Sequence, residues 1–245
     1  MSDKVRVDVA MVQRGLTPSR EQAQALIMAG QVYRKEVKIL KASEKVGESD
    51  DLHVKGNSNP YVGRGALKLD KALRVFQADV TNVVAMDIGA ATGGFTDVLL
   101  HNGARQVFSI DVGYGQLDWK IRSDPRVVVL ERTNARYLTH EEIPCVPDVT
   151  VMDVSFISVK LILPKAAELM EHKGRFYILI KPQFESQHDE TDHGIVRDEA
   201  VRLRTVDEVR AALEAAGFEC TGVTESPITG HEGNVEYLVR AIFQG

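Results

Sequence analysis

The chain has 245 residues, of which 44% are hydrophobic and 27% are charged. This composition is ordinary for a globular protein, and no apolar run is long enough to predict a transmembrane helix. The N-terminal residues lack the apolar core of a signal peptide, and Cys145 and Cys220 have no partner at metal-ligand spacing. We therefore predict a cytoplasmic protein that does not interact with membranes and has no metal site.

The charge is unevenly divided along the chain, although the formal net charge is only −5. Residues 1–60 carry ten Lys and Arg against eight Asp and Glu, whereas residues 61–245 carry twenty against twenty-seven. A polyanionic partner would therefore bind the N-terminal segment and local basic patches more readily than the rest of the chain.

The N-terminal segment has the signals of a small α+β module. Helical spacing of apolar residues predicts a first helix from about residue 4. The residues in this stripe are Val5, Val9, Val12 and Leu16. Ser19 is a favoured N-cap residue, so we expect a second helix over Arg20 to Met28, ended by Gly30. Short apolar stretches predict strands at 31–34, 37–40 and 52–54.

A stretch rich in Gly, Ser and Asn at residues 55–65 is the clearest linker signal. It predicts a first domain over 1–56, a linker over 57–63 and a second domain over 64–245. Within the second domain, helices are expected at 64–76, 93–102, 159–172 and 199–216, and apolar strands at 82–88, 106–111, 126–130, 148–153 and 175–181. This alternation is typical of a doubly wound, mostly parallel α/β sheet. The last two strands, 218–225 and 235–243, have no helix between them and should pair antiparallel.

Small residues fill the turn after the first strand of this sheet, at 89–95, where open α/β sheets bind ligands. No Gly-Lys-Ser/Thr follows, which argues against a P-loop. Asp111 ends the next strand and could accept both hydroxyls of a ribose. Asp87 ends the first strand, where a carboxylate suits the cationic amino-acid end of S-adenosylmethionine better than a pyrophosphate. We therefore favour S-adenosylmethionine over a dinucleotide. The predicted cofactor-binding residues of this region are Asp87, Gly89, Ala90, Thr92, Gly93, Gly94, Phe95 and Asp111.

Two longer resemblances cover nearly the whole chain. Residues 5–55 resemble an S4 RNA-binding domain, through Arg6 to Val9, Ser19 to Ala23 and Ile27 to Val32. Residues 61–243 resemble the FtsJ-like 2′-O-ribose methyltransferases, and the whole resembles the TlyA family, whose members are called both haemolysins and ribosomal RNA methyltransferases. The matching stretches in the second domain are Arg64 to Leu69, Gly89 to Phe95, Glu131 to Asn134, Asp153 to Ser158, Lys181 to Glu185 and Gly233 to Glu236.

The resemblance implies an α/β methyltransferase domain of Rossmann-like type behind a small S4 domain. It also implies that the catalytic residues are Lys68, Asp153, Lys181 and Glu236, and that Asn134 contacts the adenine of the cofactor. The implied acceptor is a cytidine 2′-hydroxyl in ribosomal RNA or a ribosomal subunit; the oligomeric state stays open. The candidate RNA contacts in the first domain are Arg6, Arg14, Arg20, Arg34 and Lys35.

Methyl transfer to a ribose hydroxyl needs an aligned hydroxyl and a group that removes its proton. A lysine serves as such a base where burial and a neighbouring cation lower its pKa. Our hypothesis is that Lys181 is the base or proton relay, that Asp153 and Glu236 hold the lysines and the hydroxyl in register, and that Lys68 orients the substrate.

Three other functions remain as alternatives. A haemolysin would call for amphipathic membrane segments or an export signal, and the sequence has neither. A catalytically inactive ribosome-assembly factor would not need the four-residue constellation. A base or protein methyltransferase is disfavoured because residues 153–156 lack the prolines of the Asn/Asp-Pro-Pro-aromatic motif.

His188 and His193, in a polar segment at 185–198, have no third ligand nearby and indicate a solvated loop.

Overall fold

The computed structural model describes residues 4–14, 16–17, 19–35, 37–47, 50–54, 59–170 and 174–244. The chain divides into two compact units, residues 1–60 and 61–245. Of the predicted linker, residues 57 and 58 lie outside the described residues. Tyr61 and Val62 pack within the second unit, where the Tyr61 hydroxyl donates to Asp70 Oδ1 at 2.9 Å and the Val62 amide donates to Asp97 Oδ2 at 2.8 Å.

The first unit is built from two helices and short strands. Its elements are β1 (Val5–Arg6), α1 (Val7–Gln13), α2 (Arg20–Met28), β2 (Val32–Arg34), β3 (Val37–Lys38), β4 (Lys45–Val46) and β5 (Leu52–Val54). The prediction of α2 is confirmed, since the Ser19 side chain accepts a hydrogen bond from the Gln22 amide at its N-terminus. Strand β2 pairs antiparallel with both β3 and β5.

The predicted beginning of the first helix is wrong. Val5 and Arg6 form a strand that pairs antiparallel with β4, and the helix begins only at Val7. Its buried face consists of Val7, Ala10 and Met11, which have the expected i, i+3, i+4 spacing but a different phase from the predicted stripe. The valines of the predicted stripe are only partly buried, and Val5 lies in a strand, which suits a β-branched residue.

The second unit alternates strands and helices as predicted. Its elements are α3 (Ala66–Val75), β6 (Val84–Ile88), α4 (Gly94–His101), β7 (Gln106–Ile110), α5 (Trp119–Arg122), β8 (Val127–Leu130), β9 (Val149–Met152), α6 (Leu163–Met170), β10 (Gly174–Ile180), α7 (Pro182–Glu185), α8 (Glu199–Ala215), β11 (Phe218–Glu225) and β12 (Tyr237–Phe243). Helices α5 and α7 were not predicted, because four residues are too few to show helical periodicity. The segment predicted as a polar loop also contains a 3₁₀ turn at His188–Glu190.

Among the described residues of this unit, seven strands form one sheet in the order β11-β12-β10-β9-β6-β7-β8. Strands β6 to β10 run parallel, and β12 pairs antiparallel with β10 and β11, which confirms the predicted antiparallel end. Helices cover both faces, and the two faces form separate apolar clusters, one around Phe176 and one around Tyr177. The doubly wound α/β fold predicted from the sequence is confirmed.

Candidate functional site

The strand order of the sheet reverses between β6 and β9, and this topological switch point places the first two features of the site. Gly89 follows β6 with a φ of +86°, a backbone conformation that L side chains rarely adopt. A methyl group at Gly89 would lie 2.8 Å from the carbonyl carbon of Asp153, which follows β9. A glycine is therefore required for the two strand ends to approach this closely.

A cavity of about 480 Å³ opens at this edge of the sheet. Three predicted cofactor-binding residues line it, namely Gly89, Asp111 and Asn134. The Asp111 carboxylate accepts hydrogen bonds from the amides of Ala91 at 2.8 Å and Gly113 at 2.7 Å, which hold it in place and leave one lone pair on each oxygen. The Asn134 side chain accepts from the Arg136 amide, so it also caps the 3₁₀ turn that follows.

The other predicted cofactor-binding residues do not line this cavity. Ala90 is buried in the core, and Phe95 packs there with the apolar residues of α4. Thr92 is exposed, whereas Gly93 and Gly94 form the beginning of α4. These residues shape the turn that carries Gly89.

Asp87 is fully buried beneath the turn. Thr96 Oγ1 donates to Asp87 Oδ2 at 2.6 Å and lies 2.7 Å from Ser109 Oγ, while Asp87 Oδ1 has no hydrogen-bond partner among the described residues. Burial raises the pKa of Asp87 to about 7. Because Asp87 does not line the adjacent cavity, it could interact with a cation bound there only by long-range electrostatic attraction and not by direct contact.

The four predicted catalytic residues lie together in one chain of ion pairs. Lys68 Nζ contacts Glu236 Oε2 at 2.6 Å and Asp153 Oδ2 at 3.9 Å, and Lys181 Nζ contacts Asp153 Oδ1 at 2.6 Å. The carboxylate of Asp153 thus stands between the two ammonium groups. The two positive and two negative charges balance, as buried charges require.

Each of these side chains reaches the site from a different element. Lys68 comes from α3, Asp153 follows β9, and Lys181 follows β10. Glu236 directly precedes β12, rather than lying within the last strand as predicted. The Glu236 side chain is 2% exposed and that of Asp153 is 19% exposed, so Asp153 is the more accessible of the two acids.

A second cavity, of about 520 Å³, lies over three of these four residues, while Asp153 lines the first cavity. Lys68, Lys181 and Glu236 line the second cavity, and it shares Ser155 and Phe156 with the first cavity. The two cavities therefore meet at the segment that follows Asp153. This arrangement can bring a ligand of one cavity against a ligand of the other beside Lys181.

Several residues of the site are absent from the sequence-based prediction. Ser155 Oγ accepts a hydrogen bond from Lys181 Nζ at 2.7 Å. Phe156 is 92% exposed, has a φ of +64°, and its ring centroid lies 5.2 Å from that of Phe184. The sequence did contain a signal for these residues, because Ser155 and Phe156 belong to the same motif as Asp153, and Phe184 belongs to that of Lys181. The first cavity also has lining residues that no motif indicated, among them Val112 and Gln116.

The predicted RNA-binding residues of the first unit have mixed surroundings. Arg6 donates twice to the buried carboxylate of Asp8, at 3.0 Å each, and Arg20 donates to it at 3.2 Å. Both side chains remain about half exposed. Arg34 pairs loosely with Asp50 at 3.8 Å, and Lys35 is exposed.

Arg14 has a structural task within the first unit. Its guanidinium donates to the carbonyls of Asp50 at 2.6 Å and Gly47 at 2.7 Å and so fastens α1 to the segment before β5. These two bonds use two of the five N–H donors of the guanidinium.

Comparison with known proteins gives two family matches. The FtsJ-like methyltransferase family matches residues 61–243, and the S4 domain matches residues 5–52. A 16S/23S rRNA (cytidine-2′-O)-methyltransferase, TlyA, from Mycobacterium tuberculosis is 44% identical over 98% of this chain and 90% of its own length. Hemolysin A from Brachyspira hyodysenteriae is 40% identical over 97% of this chain and all of its own length.

A solved structure from Streptococcus thermophilus, described as a candidate hemolysin, has a TM-score of 0.77 and 41% sequence identity. It covers all of this chain, and this chain covers 90% of it. The relatives thus carry two kinds of name for one architecture. Among the residues that the structure describes, no helix is both long enough and apolar enough to span a membrane.

The doubly wound sheet, with a ligand cavity at its switch point and an antiparallel last strand, defines a methyltransferase of the Rossmann-like class. The chain belongs to the FtsJ-like methyltransferase family and carries an S4 domain before its methyltransferase domain.

Proposed function

We propose that this protein transfers a methyl group from S-adenosylmethionine to the 2′-hydroxyl of a cytidine in ribosomal RNA. The observation that carries the proposal is the ion-paired chain of Lys181, Asp153, Lys68 and Glu236 between two adjoining cavities. The M. tuberculosis relative, whose name specifies this acceptor, supports the choice of cytidine and of ribosomal RNA. We also propose that the protein acts in the cytoplasm, where a ribosomal substrate would be found.

The first cavity fits S-adenosylmethionine by its chemistry. Its volume of about 480 Å³ lies in the range of cofactor sites, its walls are largely apolar, and the Asp111 carboxylate can accept the hydroxyls of a ribose. Asn134 adds an amide that can pair with an adenine edge. When bound, this cofactor supplies an electrophilic methyl group on a sulfonium.

The second cavity receives the acceptor ribose in this proposal. For this role Lys181 Nζ would have to be in its neutral amine form, in which it would take the proton of the 2′-hydroxyl. A cofactor held by Asp111 and Asn134 in the first cavity would supply the methyl group to the ribose oxygen and would leave as S-adenosylhomocysteine once its methyl–sulfur bond is broken. Asp153 and Ser155 hold Lys181 at 2.6 and 2.7 Å, so its ammonium or amine has little freedom to move. Glu236 holds Lys68, whose charge stabilises the negative charge that develops on the ribose oxygen.

The rings around the second cavity suit a nucleotide. Phe156 and Phe184 both line it, and exposed aromatic rings offer faces on which a base can stack. The S4 domain supplies further contacts to RNA, and Arg6, Arg20, Arg34 and Lys35 are the proposed phosphate contacts. Arg14 ranks below these residues, because two of its five N–H donors already bind carbonyls of its own domain.

Mapping of 2′-O-methylation in ribosomal RNA tests the proposal. Purified wild-type protein, given S-adenosylmethionine and ribosomal subunits, should add a methyl group at a cytidine ribose. Lys181→Ala should abolish transfer, a fall of at least about 1,000-fold, while leaving the cofactor dissociation constant within about 3-fold. Lys165→Ala, which removes a lysine paired with Glu168 outside both cavities, is the matched control and should keep full activity.

The outcomes separate the proposal from its rivals. Full activity of Lys181→Ala would refute the role of Lys181. Cofactor binding without any transfer to RNA would indicate a methyltransferase of another substrate, and failure to bind the cofactor would indicate an assembly factor. Lysis of red cells by purified protein would support the name that the Brachyspira relative carries.

A further inference from the structure

The two segments that carry Asp153 and Lys181 are fastened together by a third carboxylate, that of Glu185. The segment after β9 runs from Asp153 through Ser155 to Ser158, and α7 begins directly after Lys181. Glu185 lies at the C-terminal end of α7, one helical turn beyond Lys181. It is neither part of the four-residue chain nor a lining residue of either cavity.

Both oxygens of the Glu185 carboxylate accept hydrogen bonds from residues that follow β9. Oε2 accepts the hydroxyl proton of Ser158 at 2.6 Å, and Oε1 accepts the amide proton of Val159 at 2.8 Å. The side chain is 1% exposed. Such a carboxylate is costly to bury, and two good hydrogen bonds to one short segment are what make it tolerable.

The position of Lys181 is coupled to this contact through one turn of helix. The Phe184 amide donates to the Lys181 carbonyl at 2.9 Å, and the Ser186 amide donates to that of Pro182 at 2.9 Å. Pro182 fixes φ at the first position of the turn. A shift of Glu185 relative to Ser158 would therefore be transmitted to Lys181 and alter its contacts with Asp153 and Ser155.

The charge of Glu185 is only loosely compensated. Lys160 Nζ lies 3.6 Å from it and equally far from Glu208 Oε2 on α8. The Glu208 side chain is 44% exposed, and exposed ion pairs contribute little. The hydrogen bonds to Ser158 and Val159, rather than the outer ion pair, are thus the strong part of the contact.

We propose that Glu185 is a positioning residue that sets the distance between Lys181 and the Asp153–Ser155 segment. This inference rests on the proposed function of Lys181. The residue lines neither cavity, and it acts by keeping the Lys181 side chain, the Asp153 carboxylate and the Ser155 hydroxyl in one arrangement. Misplacement of a catalytic group by about 1 Å is enough to lower a rate on the order of 100-fold.

The first test compares Glu185→Ala with Glu185→Gln in the RNA methylation assay, well below the melting temperature of each variant. Glu185→Ala should lower kcat roughly 10- to 100-fold, while KM for RNA and the cofactor dissociation constant change less than about 3-fold. Glu185→Gln, which keeps the shape and an acceptor for the Val159 amide, should recover most of kcat. Glu208→Ala, the matched control, should match the wild type.

A double-mutant cycle asks whether Glu185 acts through the contact between Ser155 and Lys181. Ser155→Ala removes the acceptor of the Lys181 hydrogen bond and should itself lower kcat about 10-fold. If both residues hold the same arrangement, the double variant should lie within about 3-fold of the worse single variant. If Glu185→Ala does not fold, Ser158→Ala replaces it in the cycle.

Two results would overturn the inference while leaving the proposed function intact. One is a kcat for Glu185→Ala within about 3-fold of the wild type. The other is a double variant whose loss in kcat equals the product of the losses of the two single variants. Glu185 would then act independently of the Ser155–Lys181 contact and would have a general structural role. Absence of RNA methylation by the wild-type protein would instead refute the proposed function.

Discussion

Gly230 leaves no room for a side chain beside Glu236, and replacing this glycine by alanine tests the site without removing any of its charges. Gly230 lines the second cavity, and its amide donates to the Asn234 carbonyl at 2.8 Å. A methyl group at Gly230 would lie 2.6 Å from Cδ of Glu236 and would also overlap its Oε1. The Glu236 carboxylate therefore has to move.

The size of the effect follows from how little room Glu236 has. An ordinary van der Waals contact is about 3.5 Å or more, so the carboxylate must recede by about 1 Å. Glu236 is 2% exposed and is paired with Lys68 Nζ at 2.6 Å, so that displacement weakens a buried ion pair. We expect a loss of about 1–3 kcal/mol in the free energy of unfolding, typical of overpacking, and a fall of about 100-fold in kcat.

Three measurements check this prediction on the same preparation: kcat for RNA methylation, the cofactor dissociation constant and the melting temperature. The dissociation constant should stay within about 3-fold, because Gly230 and Glu236 do not line the first cavity. Gly65→Ala is the control, since this glycine has helical φ and ψ and an added methyl group there meets nothing within 4 Å. A Gly230→Ala variant with wild-type kcat would refute the role given to Glu236.

Two further predictions concern buried acids outside the four-residue chain. Hydrogen bonds from Arg6 hold the pKa of Asp8 well below its usual range, so Asp8 stabilises the first unit above about pH 4 and loses this contribution as the pH falls. Asp8→Asn should cost about 2–3 kcal/mol at neutral pH, read from hydrogen exchange of α2 in the full chain, and the deficit should shrink in acid; a pH-independent deficit would contradict this. Burial raises the pKa of Asp87 to about 7, so the native state binds its proton more tightly than the unfolded state, and stability falls as the pH rises from about 4 to about 7. Between pH 5 and pH 8 the free energy of unfolding of Asp87→Asn, measured in urea, should therefore rise relative to that of the wild type by an amount on the order of 2 kcal/mol. A difference between variant and wild type that stays the same at both pH values would show that Asp87 does not titrate in this range.

The sequence predicts the second unit well because its strands are apolar, parallel and separated by helices. A parallel sheet brings the carboxyl ends of its strands to one edge, so Asp153 after β9 and Lys181 after β10 had to lie near each other and near Gly89. Pairing of Lys68 with Glu236 did not follow from this rule. Lys68 lies on a helix, where a lysine is usually solvated, and only the resemblance to a family indicated it.

The features that the sequence did not predict are those that have no period in it. Val5 fits a helical stripe and a strand equally well, and pairing with Val46, forty-one residues away, decides in favour of the strand. Arg14 stays a candidate phosphate contact, and its two hydrogen bonds to carbonyls of its own domain could not be predicted from the sequence. Glu185 belongs to a recognised motif, yet its partners Ser158 and Val159 become visible only when β9 and β10 are placed side by side.

The position of Asp153 explains why one short segment can serve both cavities. Gly89 lets β6 approach the Asp153 carbonyl, which fixes the floor of the first cavity, while the Asp153 carboxylate faces the two lysines of the second. Ser155 and Phe156, which follow it, line both cavities. A methyl donor in one cavity and an acceptor in the other would therefore lie on either side of this short segment. Lys181 lies beside the segment, in contact with Asp153 and Ser155. The proposed chemistry would then depend on the position of this segment, which is held by the hydrogen bonds of the Glu185 carboxylate to Ser158 and Val159 and which Gly89 allows to lie close to β6.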